Sequence, residues 1–86
     1  MRKRKPKPDD SHVRSAFGRT VRELRQKAGL SQEKLAHELK IDRGNLAAAE
    51  AGRHNPTMRT LVRILPGLRV SMVEFCAEFE RNLRKG

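Results

Sequence analysis

The apolar positions come in short stripes separated by tight stops. From Ser11 onward Val13, Phe17, Val21, Leu24 and Ala28 recur three or four residues apart, so they share one face of a helix. Gly29 supplies a carboxy-terminal stop. Ser31 can cap a second helix, about two turns long, in which Leu35, Ala36 and Leu39 point one way. The chain turns near Ile41, and Asp42 opens a third helix within "IDRGNLAAAEAGRHNP". There Leu46 and Ala49 face inward and Gly52 ends the run. After the linker Arg53 to Pro56, Thr57 can cap a fourth helix with Leu61, Ile64 and Leu65 on its inner side. Pro66-Gly67 is expected to stop that helix early, because proline opposes helix at the residue before it. Leu68 and Val70 then return to the core. Ser71 and Glu74 form a capping box for a fifth helix, whose Met72, Phe75, Cys76, Phe79 and Leu83 make one stripe. The pattern predicts an all-α chain of five helices with no strand.

At 86 residues there is room for one small core, so a binding module is favoured over a catalytic cleft. Charge sharpens this. Twenty Lys+Arg against 10 Asp+Glu give +10, a field that attracts polyanions, of which nucleic acid is the usual one. The first ten residues hold five basic and two acidic side chains, leaving +7 for the rest. Residues 1–11 read as a flexible basic tail, either an arm along DNA or a plain solvated terminus. Residues 12–86 read as the folded domain.

Several classes fall away. No apolar run approaches a membrane span and no signal peptide is visible, so a cytoplasmic location is expected. The lone Cys76 cannot form an internal disulfide and reads as a buried small hydrophobe. His12, His37 and His54 lack ligand spacing with it and read as surface residues, so no metal and no cofactor are expected. No acid pair, activated nucleophile or phosphate loop stands at a convincing spacing, so no enzyme is expected.

Two short, closely joined helices followed by a polar loop are the helix-turn-helix arrangement, whose second helix can enter a major groove. "RELRQKAGLSQEKLAHEL" followed by "IDRGNLAAAEAGRHNPTMRTL" resembles the Cro/phage-repressor (XRE) helix-turn-helix family over Phe17 to Phe75. The resemblance implies a five-helix, lambda-repressor-like helix-turn-helix domain that binds double-stranded DNA. It also implies residue roles. Arg43, Gly44, Asn45, Ala47 and Ala48 match positions that face base edges or the nearby backbone. Ser31, Gln32, Arg53, His54 and Asn55 match phosphate-contacting positions, and Arg25 with Glu50 match a structural ion pair. Arg43 could give two hydrogen bonds to guanine, or bind phosphate only. The alanines would let the helix backbone sit deep in the groove, leaving readout to Arg43, Asn45 and DNA shape.

The last helix, "SMVEFCAEFERNLRKG", resembles that of restriction-modification controller proteins, which are small dimeric regulators. Pro66-Gly67 and Arg69 depart from that family's smooth helix and glycine turn. Met72, Phe75, Phe79 and Leu83 are expected at a homodimer interface, since a small monomer cannot cover them all. Such a dimer would set two reading helices roughly 34 Å apart, matching a near-palindromic operator. The function expected is therefore a dimeric, sequence-selective transcription regulator of repressor type. An antitoxin-like module that sequesters a small toxin is the competing expectation. No small-molecule substrate is expected. RNA binding ranks lower, because Phe17, Phe75 and Phe79 are committed to helix faces and leave no stacking platform.

Overall fold

The computed structural model describes residues 10–85. It contains five helices: α1 (Asp10–Lys27), α2 (Gln32–Leu39), α3 (Arg43–Glu50), α4 (Met58–Leu68) and α5 (Met72–Lys85). No strand occurs among the described residues. The tail expected over 1–11 lies outside the described residues for 1–9, whereas Asp10 and Ser11 belong to the first turn of α1. A carboxylate there complements the positive end of the helix.

Local chemistry sets most of the boundaries. Ser31 Oγ accepts the Lys34 amide at 3.0 Å and Thr57 Oγ1 accepts that of Thr60 at 3.1 Å. Ser71 Oγ takes the Glu74 amide at 3.1 Å while the Ser71 amide donates to Glu74 Oε1 at 2.8 Å, the reciprocal capping box. The bond from the Ser71 amide, with the Ser71 side chain assisting, holds the Glu74 carboxyl below its ordinary range. Asp42 behaves differently. Its backbone is that of an N-cap, but its side chain accepts no bond from α3. The carboxylate lies over Gly44, with Oδ2 at 2.8 Å from where a β-carbon would stand.

The expected early stop of the fourth helix does not occur, because α4 runs through Pro66 to Leu68. Proline removes only the bond to the Val62 carbonyl, at a residue 55% exposed, where water can take the bond's place. Packing then holds the last turn: Leu68 is buried, and a β-carbon on Gly67 would stand 2.7 Å from Leu35. Arg69 (φ 60) closes the helix with the left-handed turn that glycine usually supplies, its amide and that of Val70 satisfying Pro66 and Leu65. Lys40 (φ 57) closes α2 in the same way, and Ile41 behind it bonds back to Ala36.

The core gathers Phe17, Val21, Leu24, Leu30, Leu35, Ala36, Leu46, Leu61, Ile64, Leu68 and Phe75. α1 is its spine, meeting both α3 and α5. Gly18 marks the closest approach: a β-carbon there would lie 2.5 Å from the carbonyl oxygens of both Ala49 and Glu50.

Two expectations for α5 require correction. Phe75 is fully buried, its ring 5.5 Å from that of Phe17, and offers no surface to a second chain. Cys76 is exposed rather than buried. One residue advances a helix by about 100°. The inner line is therefore Phe75, Phe79 and Asn82, while Met72, Cys76 and Leu83 lie on its flank. Asn82 is fully buried and donates to Thr20 Oγ1 at 2.9 Å and to Glu23 Oε1 at 3.1 Å.

Candidate nucleic acid interface

α2 and α3 are joined by Lys40, Ile41 and Asp42 alone, and Leu46 anchors α3 in the core. Its opposite side is open. Arg43, Gly44 and Asn45 are exposed, while Ala47 and Ala48 are half-buried. Methyl groups rather than long side chains thus cover the outer middle of the helix, and its backbone is correspondingly near the surface.

The angle of α3 is fixed by a buried ion pair. Arg25 Nε donates to Glu50 Oε2 at 2.7 Å and Nη2 to Glu50 Oε1 at 3.0 Å, with the two side chains 10% and 3% exposed. Arg25 Nη1 also donates to the Leu30 carbonyl at 2.8 Å, tying α1, the loop before α2 and α3 together. Gln32 Nε2 reaches Glu50 Oε1 at 3.0 Å. That bond leaves the second amide hydrogen of Gln32 free beside the uncapped backbone amides of the first turn of α2, where an anion is favoured. Ser31 accepts a cap bond through its oxygen, which leaves its hydroxyl hydrogen free to donate.

Arg53, His54 and Asn55 are exposed in the loop after α3. Gly52 (φ 78) makes the turn into it and packs so closely on Ser15 that a β-carbon would meet that residue at 3.2 Å. A residue that sequence reasoning missed holds this loop. Arg14 Nε donates to the Gly52 carbonyl at 3.1 Å and Nη1 to Asn55 Oδ1 at 3.2 Å. With its oxygen engaged, Asn55 keeps its amide hydrogens free to donate. No motif marks Arg14, because its partner lies 38 residues away.

Two groups of arginines divide the surface. Arg14, Arg25, Arg69, Arg81 and Arg84 each have a partner in the fold. Among the described residues Arg19, Arg22, Arg43, Arg53, Arg59 and Arg63 have none. The unpaired set lies on α1, α3, the following loop and α4, leaving positive charge uncompensated around α3. Of the histidines, His37 and His54 are exposed as expected, but His12 is partly buried and hydrogen-bonds the Leu83 carbonyl at 2.8 Å. No group of three or more His, Cys, Asp or Glu among the described residues could hold a metal ion. No helix among them is long and apolar enough to cross a membrane.

A family model described as a helix-turn-helix domain matches residues 16–75. Control protein C.MunI of a Mycoplasma species is 30% identical over 71 residues, spanning 81% of this chain and 96% of that protein. The wild-type restriction-modification controller protein C.Esp1396I has the same fold, with a TM-score of 0.79 at 28% identity over 86% of this chain and 96% of its own. The tetramer of that controller protein in complex with its natural 35 base-pair operator gives 0.77 at 28% identity, over 83% and 93%. The clp gene regulator ClgR of C. glutamicum shares the fold at 24% identity with a TM-score of 0.78, over 93% and 99%.

Proposed function

Because the chain belongs to the helix-turn-helix domain family, we propose that it is a DNA-binding transcription regulator of the controller type, working as a homodimer on a near-palindromic operator. The observation that carries the reading is the α3 surface. An open helix with Arg43 at its first turn is braced by the buried Arg25–Glu50 pair and ringed by unpaired arginines. Arg43 is the base-reading side chain, through the O6 and N7 atoms of guanine, while Asn45 and the methyls of Ala47 and Ala48 meet neighbouring base edges. Ser31, Gln32, Arg53, His54 and Asn55 hold backbone phosphates and fix register. Readout by so few side chains leaves part of the specificity to DNA shape.

The homodimer uses the flank of α5. Met72 and Leu83 are half-covered there, next to the partly covered Phe79 of the inner line, and Val73 (79% exposed) and Cys76 stand open beside them. Selection of bound duplexes from a random pool at near-physiological salt tests the whole reading. The expected product is an inverted repeat with half-sites about one helical turn apart. Enrichment of an unrepeated motif would remove the dimer, and binding without any enriched motif would remove sequence selectivity.

A further inference from the structure

We propose that Arg19 and Arg22 of α1 form a second phosphate-binding site, gripping the DNA backbone alongside the strand met by Gln32 and the reading helix; the assignment rests on the DNA-binding reading above. A recess of about 240 Å³ opens beside α3, and Arg22 borders it together with Gln32, Ala47 and Ala51. A second recess of about 270 Å³ adjoins it, shared by Ser15, Arg19, Arg22 and Ala51. The two hollows run from the groove-facing side of α3 onto the surface of α1.

Their chemistry is one-sided. Glu50 is the acid in both walls, but its side chain is 3% exposed and both of its oxygens are taken by Arg25, one of them also by Gln32. Arg25 neutralises it. Arg19 and Arg22 have no partner among the described residues, and they stand three apart on one helix, where like charges repel. Neither cation therefore makes a hydrogen bond or ion pair within the described fold. Gly18 fixes where they stand, since the missing β-carbon lets α1 lie directly on the end of α3. Two guanidinium groups at the rim of a shallow hollow suit a phosphodiester, which accepts their forked hydrogen bonds and supplies the missing negative charge.

The test is a salt titration of duplex binding for Arg19→Ala, Arg22→Ala and the double variant. Arg84→Ala, in an exposed pair with Glu80 on α5, is the control. Each lost phosphate contact should lower the slope of log Kobs against log[salt] by about 0.9, so the double variant should lose about 1.8. The loss should be equal on selected and unrelated duplexes, because phosphate carries no sequence. Arg84→Ala should leave the slope unchanged. If the unaltered protein binds DNA and the double variant keeps its slope, this assignment falls and the DNA reading stands. If the unaltered protein binds no duplex, both fall.

Discussion

α3 and α5 dock on the same spine by the same device and turn opposite chemistries outward. Each sinks one apolar and one polar anchor into the groove it shares with α1: Leu46 and Glu50 from α3, Phe75 and Asn82 from α5. On α3 the remaining surface is Arg43, Asn45, glycine, alanine and backbone within a field of unpaired arginines. On α5 it is Met72, Val73, Cys76 and Leu83, and the arginines nearby are already neutralised, Arg81 by Glu78 and Glu23, Arg84 by Glu80. The surface left uncompensated is the one suited to a polyanion. The surface with its charges balanced and its apolar side chains half-covered is suited to a second copy of itself.

The two polar anchors differ in what their loss would leave behind, and that difference gives the largest predicted effect. Glu50→Ala strands the Arg25 guanidinium in the interior and frees Gln32. It should cost about 3–5 kcal/mol in urea unfolding, with duplex binding lost in parallel. Next comes the contact itself. Gly18→Ala places a β-carbon against the Ala49 and Glu50 carbonyl oxygens, which are backbone and cannot swing aside. About 1–3 kcal/mol of stability should disappear, and α3 should shift on α1. An unchanged melting temperature would mean that the approach of the two helices is looser than described.

On the other face, Val73→Glu touches no core residue. It should weaken self-association at least about tenfold, or roughly 1.4 kcal/mol, with helix content unchanged. Sedimentation at matched concentrations checks it, and an unaltered dimer would move the interface off this flank.

The smallest effect concerns the second polar anchor. Asn82 Oδ1 is buried without a partner, and Thr20 keeps a partner for its hydroxyl hydrogen in the Ala16 carbonyl at 2.7 Å. Asn82→Leu should therefore change stability by less than about 1 kcal/mol at neutral pH. Its signature should lie in acid. The Asn82 amide, with Arg81 assisting, holds the Glu23 carboxyl below its ordinary value of 4.5. A carboxylate favoured by the fold contributes stability above its unfolded pKa and loses it as pH falls through the lower folded value. Asn82→Leu should flatten that part of the acid limb, seen in unfolding midpoints from about pH 6 down to about pH 3.

What the sequence revealed and what it hid divide along the same line between local and tertiary causes. Caps such as Ser31, Thr57 and the Ser71–Glu74 box act over three residues, so their type and spacing were legible. The Arg25–Glu50 pair, 25 residues apart, was reached through family resemblance rather than from any local rule. The exact rotation of α5 was not legible. Stripe counting favoured Leu83 and Cys76 over Asn82, because an inward asparagine needs Thr20 and Glu23 from another helix to satisfy it. Pro66 misleads for a similar reason: its cost is local, whereas the packing of Gly67 and Leu68 that outweighs it is not. Gly18 and Arg14 acquire their roles only once α1 lies against α3.

The claim that α3 is the nucleic-acid face and α5 is not is tested most directly by mapping backbone amide shifts as a selected duplex is added to the labelled protein. The largest changes should fall at Gln32, Arg43 to Ala48 and Arg53 to Asn55, with the exposed side of α5 little affected. Shifts centred on Val73 and Cys76, with α3 unmoved, would contradict it.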